Sequence, residues 1–190
     1  MSSYPSSEEC YRMLREEGVP PAVIRHSCVV NLVAIELAKR CGADLGLVNA
    51  ASLLHDIGRS RTHGVQHVAE GVRIARERGL PEDLVRCIGR HIAAGFTPEE
   101  AEGLGLPEGD YMPVTLEDKL VNLADNLVSD RSIKTLAQAA ERMRSKGFEL
   151  TAVRMLAMGE EIARLCGEGI DPILEKAGVR EAAARCDRVP

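Results

Sequence analysis

Along most of this chain apolar residues return at every third or fourth position, the period of one helix face, and glycines and prolines cut the recurrence into blocks. A block at 7–17 follows Ser6, a residue type that caps helix N-termini, and stops before Gly18. Pro20 and Pro21 open a long block at about 20–41, with Val23, Ile24, Val30, Val33, Leu37 and Cys41 at helical spacing, and Gly42 closes it. Asp44 caps the next block, whose apolar residues Leu47, Val48, Ala51, Leu54 and Ile57 run to Gly58, expected as the glycine just past a helix end. Helices are predicted at about 63–78 and 81–95, closed by Gly79 and Gly95. Residues 97–114 are rich in Pro and Gly and predict a short helix at 98–102, then an irregular loop placed to cover a site. Thr115 and Asp118 make a capping-box start, Asp standing for the usual Glu, for a helix to about Asp130. Further helices are expected at about 134–146, 149–167 and 171–177, with a frayed tail after Gly178.

Composition agrees with an all-α fold. Aromatic residues make up only 3% of the chain, β-branched runs are short, and Ala, Leu, Glu and Arg are plentiful, so helix propensity outweighs strand propensity. The 190 residues exceed a typical domain of roughly 150 by too little to hold a second one. A single domain over 1–190 is expected, with a core at about 20–131 and a helical extension at about 132–178. The net charge of −5, with no contiguous basic block, disfavours duplex nucleic acid as the ligand, and so few aromatics leave little with which to stack a single strand. Six cysteines lie far apart with no CxxC pair, so they are expected as reduced thiols in a cytoplasmic protein. The first ten residues lack a leader pattern, and the apolar stretch near Val29–Ile35 is interrupted at Asn31, short of the ~18 residues of a span, so no membrane is expected.

The chemistry gathers in the first half. All five histidines fall between His26 and His91. Imidazoles and carboxylates together suit first-row transition ions, whereas Ca and Mg prefer oxygen alone. His55 and Asp56 stand together at a predicted helix end, where the partial negative charge of the C-terminus favours a cation. Neighbours on a helix point about 100° apart, so both reach one ion only beyond the helix end or in the groove between them. His26 sits in a helix rich in Val, Ile and Leu, where an unpaired imidazole would be costly to bury. In TLEDKLVNLADNLVSD a polar stripe of Asp118, Asn122, Asp125 and Ser129 opposes a leucine face, and it reads either as solvated surface or as an inward-facing polar row.

His26, then HDIG at His55–Gly58, then a distant Asp125 within LVNLADNL resemble the HD superfamily of metal-dependent phosphohydrolases, the HDIG subgroup more closely. The resemblance runs from about Pro21 to Arg131. The segments RTHGVQHVAEG and IGRHI are similar to the branch that adds two histidines to four basic ligands, as in bacterial HD-type diadenosine tetraphosphate hydrolases and small archaeal HDIG proteins. What the resemblance implies is an HD-domain helical bundle with additional C-terminal helices. His26, His55, Asp56 and Asp125 would hold one divalent transition ion (Fe, Mn, Co, Ni or Zn). His67 and His91 would complete a second site, with Asp56 bridging.

The implied activity is hydrolysis of a phosphoester or phosphoanhydride of a small nucleotide-like molecule by metal-activated water, with 2′,3′-cyclic phosphates and dinucleoside polyphosphates among the candidates. Asp56, His63 and Lys119 are the catalytic candidates, and Arg59 and Lys119 the candidates for holding phosphate oxygens. His63 lies one turn before His67, but a seventh ligand would leave no room for water and substrate, so it is assigned to phosphate contact or the surface. Pocket walls are expected from the 97–114 loop and the C-terminal helices. No Gly-x-Ser-x-Gly elbow, Walker A or GxGxxG signature offers another chemistry, and the HHE and GYP signatures of cyclic dinucleotide phosphodiesterases are missing. A small phosphorylated substrate is the expected partner, with a second copy of the chain as the one macromolecular candidate. A di-iron oxygenase on the same ligands, and a ligand-binding module without catalysis, are the two alternatives.

Overall fold

The computed structural model describes residues 4–129 and 132–188, and they are predominantly helical. Helix α1 (Ser7–Glu16) opens with a capping box between Ser6 and Glu9. Helix α2 (Pro21–Cys41) is the spine, with Val29, Val30, Val33, Ala34 and Leu37 fully or almost fully buried, and it ends where Gly42 turns left-handed at φ 72°. Helix α3 (Leu45–Leu54), capped by Asp44, and helix α7 (Leu116–Leu127), capped by Thr115, both pack on α2. By length and mean hydropathy α2 is the described helix that could cross a membrane, yet half of its qualifying window is buried inside the bundle.

Between α3 and α7 the chain forms a 3-10 turn at Ile57–Ser60, then α4 (His67–Glu77), α5 (Glu82–Gly89) and α6 (Pro98–Gly103). Three boundaries differ from expectation. Gly58 is not a left-handed cap: it lies inside the 3-10 turn, and a Cβ there would stand 1.9 Å from the His67 carbonyl oxygen and 2.5 Å from the Gly71 nitrogen. Its missing side chain is what lets α4 lie on the turn. Helix α4 starts four residues later than predicted, at His67, and α5 stops before Arg90, so His91 sits on irregular backbone that includes Ala93 at φ 50°.

Helix α7 gives way to β1 (Val128–Ser129), paired antiparallel with β2 (Ser132–Ile133); Asp130, the expected helix end, lies outside the described residues. Helices α8 (Leu136–Ser145), α9 (Glu149–Cys166), α10 (Ile170–Lys176) and α11 (Val179–Ala182) follow, and a 3-10 stretch spans Ala183–Arg188.

The described part of the tail, to residue 188, is not frayed. Val179 and Cys186 are buried, and Cys186 forms a disulfide with Cys28 on α2. A second disulfide joins Cys41 at the end of α2 to Cys166 at the end of α9, leaving Cys10 and Cys87 as buried free thiols. The expectation of six reduced thiols is therefore corrected. The partners are 158 and 125 residues apart, so no spacing rule could pair them; helix packing does, setting the Cα atoms 5.7 and 4.4 Å apart. Cysteine spacing consequently gives no support for a reducing compartment.

Candidate metal centre and its cleft

Five chain segments deliver the candidate ligands. His26 precedes Val30 and Val33 on the face that α2 turns inward, and packing of α2 on α7 sets its Nε2 2.9 Å from Asp125 Oδ1. His55, the residue that ends α3, places Nε2 3.5 Å from the same Asp125 oxygen and 3.6 Å from Asp56 Oδ2. Asp56 Oδ1 turns the other way, 3.1 Å from His67 Nε2 and 3.5 Å from His91 Nε2. One carboxylate thus has an oxygen in each half of the cluster. Ligand atoms of His26, His55 and Asp125, and of His55, Asp56 and His91, lie within 4.8 Å of one another.

The orientation of the imidazoles decides what the cluster can hold. Nδ1 of His55 lies 2.8 Å from the Ser52 carbonyl, Nδ1 of His67 2.7 Å from that of Gly64, and Nδ1 of His91 2.7 Å from that of Ile88. A carbonyl oxygen only accepts, so Nδ1 carries the proton and Nε2 presents a lone pair to the centre, the arrangement of metal-binding histidines. The Nε2 atoms of His67 and His91 stand 3.1 Å apart, two lone pairs face to face, which is unfavourable without a cation. His55 Nε2 and Asp56 Oδ1 are also buried with no hydrogen-bond partner among the described residues. Buried acceptors of this kind are costly unless matched, and the nitrogen and carboxylate donor set fits a first-row transition ion.

Electrostatics point the same way. Burial alone would push the His55 imidazole down, yet Asp56 and Asp125 beside it raise it to about 9, so without a metal ion Nε2 takes a proton and the imidazolium supplies the positive charge these carboxylates call for; an ion bound there would displace that proton. Burial opposes ionisation of Asp56, but His55, His67 and His91 outweigh it and keep that carboxyl well below the usual range. Asp125 is likewise held far down against its burial by His26 and His55. His91, dominated by burial, is shifted down and favours the neutral form that ligates metals.

A cleft of about 480 Å³ opens onto the cluster. Arg59 and His63 form one rim; Arg59 Nε donates to Asp56 Oδ2 at 2.6 Å, and His63 is exposed with its carbonyl accepting from Arg59 Nη1 at 3.3 Å. Lys119 is not there. It lies six residues before Asp125, roughly 120° away around α7, and its Nζ is held by both Glu161 oxygens at 2.7 and 2.9 Å. The 97–114 loop does not line this cleft either; beyond Phe96 the far wall comes from the end of α8 and the start of α9.

The polar stripe on α7 faces inward and grips the segment bearing His91. Asp118 Oδ2 accepts from Arg90 Nη1 at 2.7 Å, Asn122 Nδ2 donates to the Arg90 carbonyl at 2.9 Å, and Asn126 Nδ2 donates to the Ala93 carbonyl. Asn126 was not among the predicted site residues, nor were Arg142, Lys146 and Phe148 of the far wall. Asn126 carried a readable signal, since it stands four residues after Asn122 on the same face.

The HD domain family matches residues 23–130, more than half of the sequence. The chain belongs to the HD domain family. A tRNA (cytidine(56)-2′-O)-methyltransferase of Picrophilus torridus is 38% identical over 169 residues, covering 89% of this chain and 50% of that protein. An uncharacterised protein of Methanocaldococcus jannaschii is 50% identical over 111 residues, 56% of this chain and 66% of its own length. The HD chain thus spans half the length of the methyltransferase relative. The crystal structure of the L. monocytogenes phosphodiesterase PgpH HD domain in complex with cyclic-di-AMP shares the fold, with a TM-score of 0.52 at 17% identity over 94% of this chain and 96% of that one.

Proposed function

We propose that this HD protein is a metal-dependent phosphohydrolase that cleaves a phosphoester or phosphoanhydride of a small nucleotide-like substrate. HD family membership supports metal-dependent phosphohydrolase chemistry in general. The observation that carries the reading is the facing pair of His67 and His91 Nε2 atoms, 3.1 Å apart, with Asp56 beside both and its second oxygen in the other half of the cluster. His26, His55, Asp56 and Asp125 would hold one divalent transition ion, and Asp56, His67 and His91 would hold a second. When bound, the ions supply a water acidic enough to attack phosphorus near neutral pH.

The chain's own residues do the rest. Asp56 holds both halves in register, and Arg59 fixes Asp56 through Nε and the His63 carbonyl through Nη1, which leaves Nη2 for a substrate phosphate at the rim. His63, exposed at the same rim, contacts the phosphate and exchanges a proton with the leaving oxygen. Substrates of nucleotide size, including 2′,3′-cyclic nucleotides and dinucleoside polyphosphates, suit a cleft of about 480 Å³.

The test is metal analysis of purified protein together with phosphate release across a nucleotide panel, on wild type and Asp56→Asn. About two ions per chain are expected, with the variant losing bound metal and at least ~100-fold of the activity. Oxygen consumption by iron-loaded protein without phosphate release would replace the reading with an oxygenase. Ligand binding by metal-replete protein with no turnover would replace it with a binding module.

A further inference from the structure

We infer that the corner between α8 and α9, outside the matched HD region, recognises a second phosphate and the ring of the substrate, so that the preferred ligand is a nucleotide carrying a second phosphate group. This deepens the proposed function and rests on it for placing the first phosphate at the metal cluster. Arg142 and Lys146 stand four residues apart at the end of α8, hence on one face, and both line the cleft. Arg142 Nη2 donates to the Asn126 carbonyl at 2.8 Å, which fixes the guanidinium beside the segment that carries Asp125. Its Nε is buried without a partner, and Lys146 is exposed with no ion pair among the described residues. The one carboxylate lining this cleft is Asp125, committed to His26 and His55. In a chain of net charge −5, two cations that line one cleft without a carboxylate beside them mark an anion site.

The aromatic residue follows directly. Gly147 at φ 84° turns the chain sharply after α8, and Phe148 emerges at the mouth of the cleft with 52% of its surface exposed. A large apolar ring left in water at a cleft mouth, in a protein with so few aromatics, is suited to stack a planar base. Phe96 lines the same cleft and adds a second apolar ring surface. The wall therefore offers stacking and charge together, across from Arg59 and the metal cluster.

The experiment compares adenosine 3′,5′-bisphosphate with AMP by isothermal titration calorimetry on Mn-loaded holoprotein. Wild type is expected to bind the bisphosphate roughly tenfold or more tightly than AMP. Arg142→Ala/Lys146→Ala should bring that ratio close to one, and Phe148→Ala should weaken both ligands by roughly tenfold while leaving the ratio. Metal content and melting temperature of each variant establish that it folds; Lys146→Ala alone, at an exposed position, should already lose part of the preference. A wild-type ratio below about three, or a ratio that survives the double substitution, overturns the inference. Because affinity and phosphate release are measured separately, a preference of the expected size in a protein that hydrolyses nothing would sustain this recognition wall and sink the hydrolase reading.

Discussion

Gly58→Ala tests whether the HDIG turn and α4 must touch for the cluster to assemble. The added Cβ would meet the His67 carbonyl oxygen at 1.9 Å and the Gly71 nitrogen at 2.5 Å, whereas ordinary contact begins near 3.4 Å, so the two segments must part by 3.4 − 1.9, or 1.5 Å, at this point. Both neighbours are backbone atoms, and no rotamer change relieves them. His67 would be carried with its helix away from Asp56 Oδ1, now 3.1 Å from its Nε2, and such a shift is well beyond the ~0.5 Å a functional site tolerates. Overpacking of this kind costs about 1–3 kcal/mol, which in a chain of this size lowers the melting temperature by ~2–12 °C. The assay pairs differential scanning calorimetry of the metal-free protein with elemental analysis of the reconstituted one. We expect loss of the ion that depends on His67 and His91 and retention of the one on His26, His55 and Asp125. Gly79→Ala serves as the control, because its φ of 68° is strained for alanine but its Cβ would meet nothing within 4 Å; it should lower stability and leave metal content alone. If Gly58→Ala melts with the wild type and keeps its full metal content, the close-approach argument fails.

Three further outcomes follow from the geometry. Denatured, unreduced protein should take up two equivalents of a thiol reagent, on Cys10 and Cys87, and six after reduction; six at the outset would remove both disulfides from the description. Asp118 is held below the usual carboxylate range because Cys87, Arg90 and the Thr115 and Val114 amides outweigh its burial. A folded-state value lower than the unfolded ~3.9 adds stability that is present above that pH and lost as pH falls through the folded value. Asp118→Asn should therefore cost roughly 3 kcal/mol at pH 7 and progressively less below pH 4, and a penalty independent of pH would contradict the ion-pair account. Stripping metal with a chelator and restoring Mn²⁺ at about 100 times its dissociation constant should raise stability by ~2.7 kcal/mol, and His55→Ala should abolish most of that gain in a calorimetric titration.

Much of the centre was readable because its chemistry is local. The His55–Asp56 pair at a helix end, and a histidine inside an otherwise aliphatic helix, are anomalies that a linear scan detects, and Asp125 stands out once its stripe is counted in fours and threes. The helices were readable for the same reason, since caps at Ser6, Asp44 and Thr115 and the turn at Gly42 act within a few residues. What escaped depends on tertiary approach. Gly58 is required by the backbone of α4 rather than by its own dihedral angles, the disulfides join residues more than a hundred positions apart, and Lys119 looked available until Glu161 was seen beside it. The 97–114 loop carried every mark of a cover and instead lies to the side. The wall comes partly from Arg142 of α8 and from Phe148 just before α9; the C-terminal helices were expected there, but nothing local in their sequence singles out these two residues.

The two cystine bridges give α2 an unusual status. One anchors it near its first third and the other at its last residue, and both lead into segments beyond the residues that the HD family matches. Cutting the polypeptide after 131 would leave Cys28 and Cys41 without their mates and loosen the rod from which His26 projects. We expect the cooperative unit to reach past the limits of the family match: the matched stretch supplies the ligands, and the later helices keep them at attention.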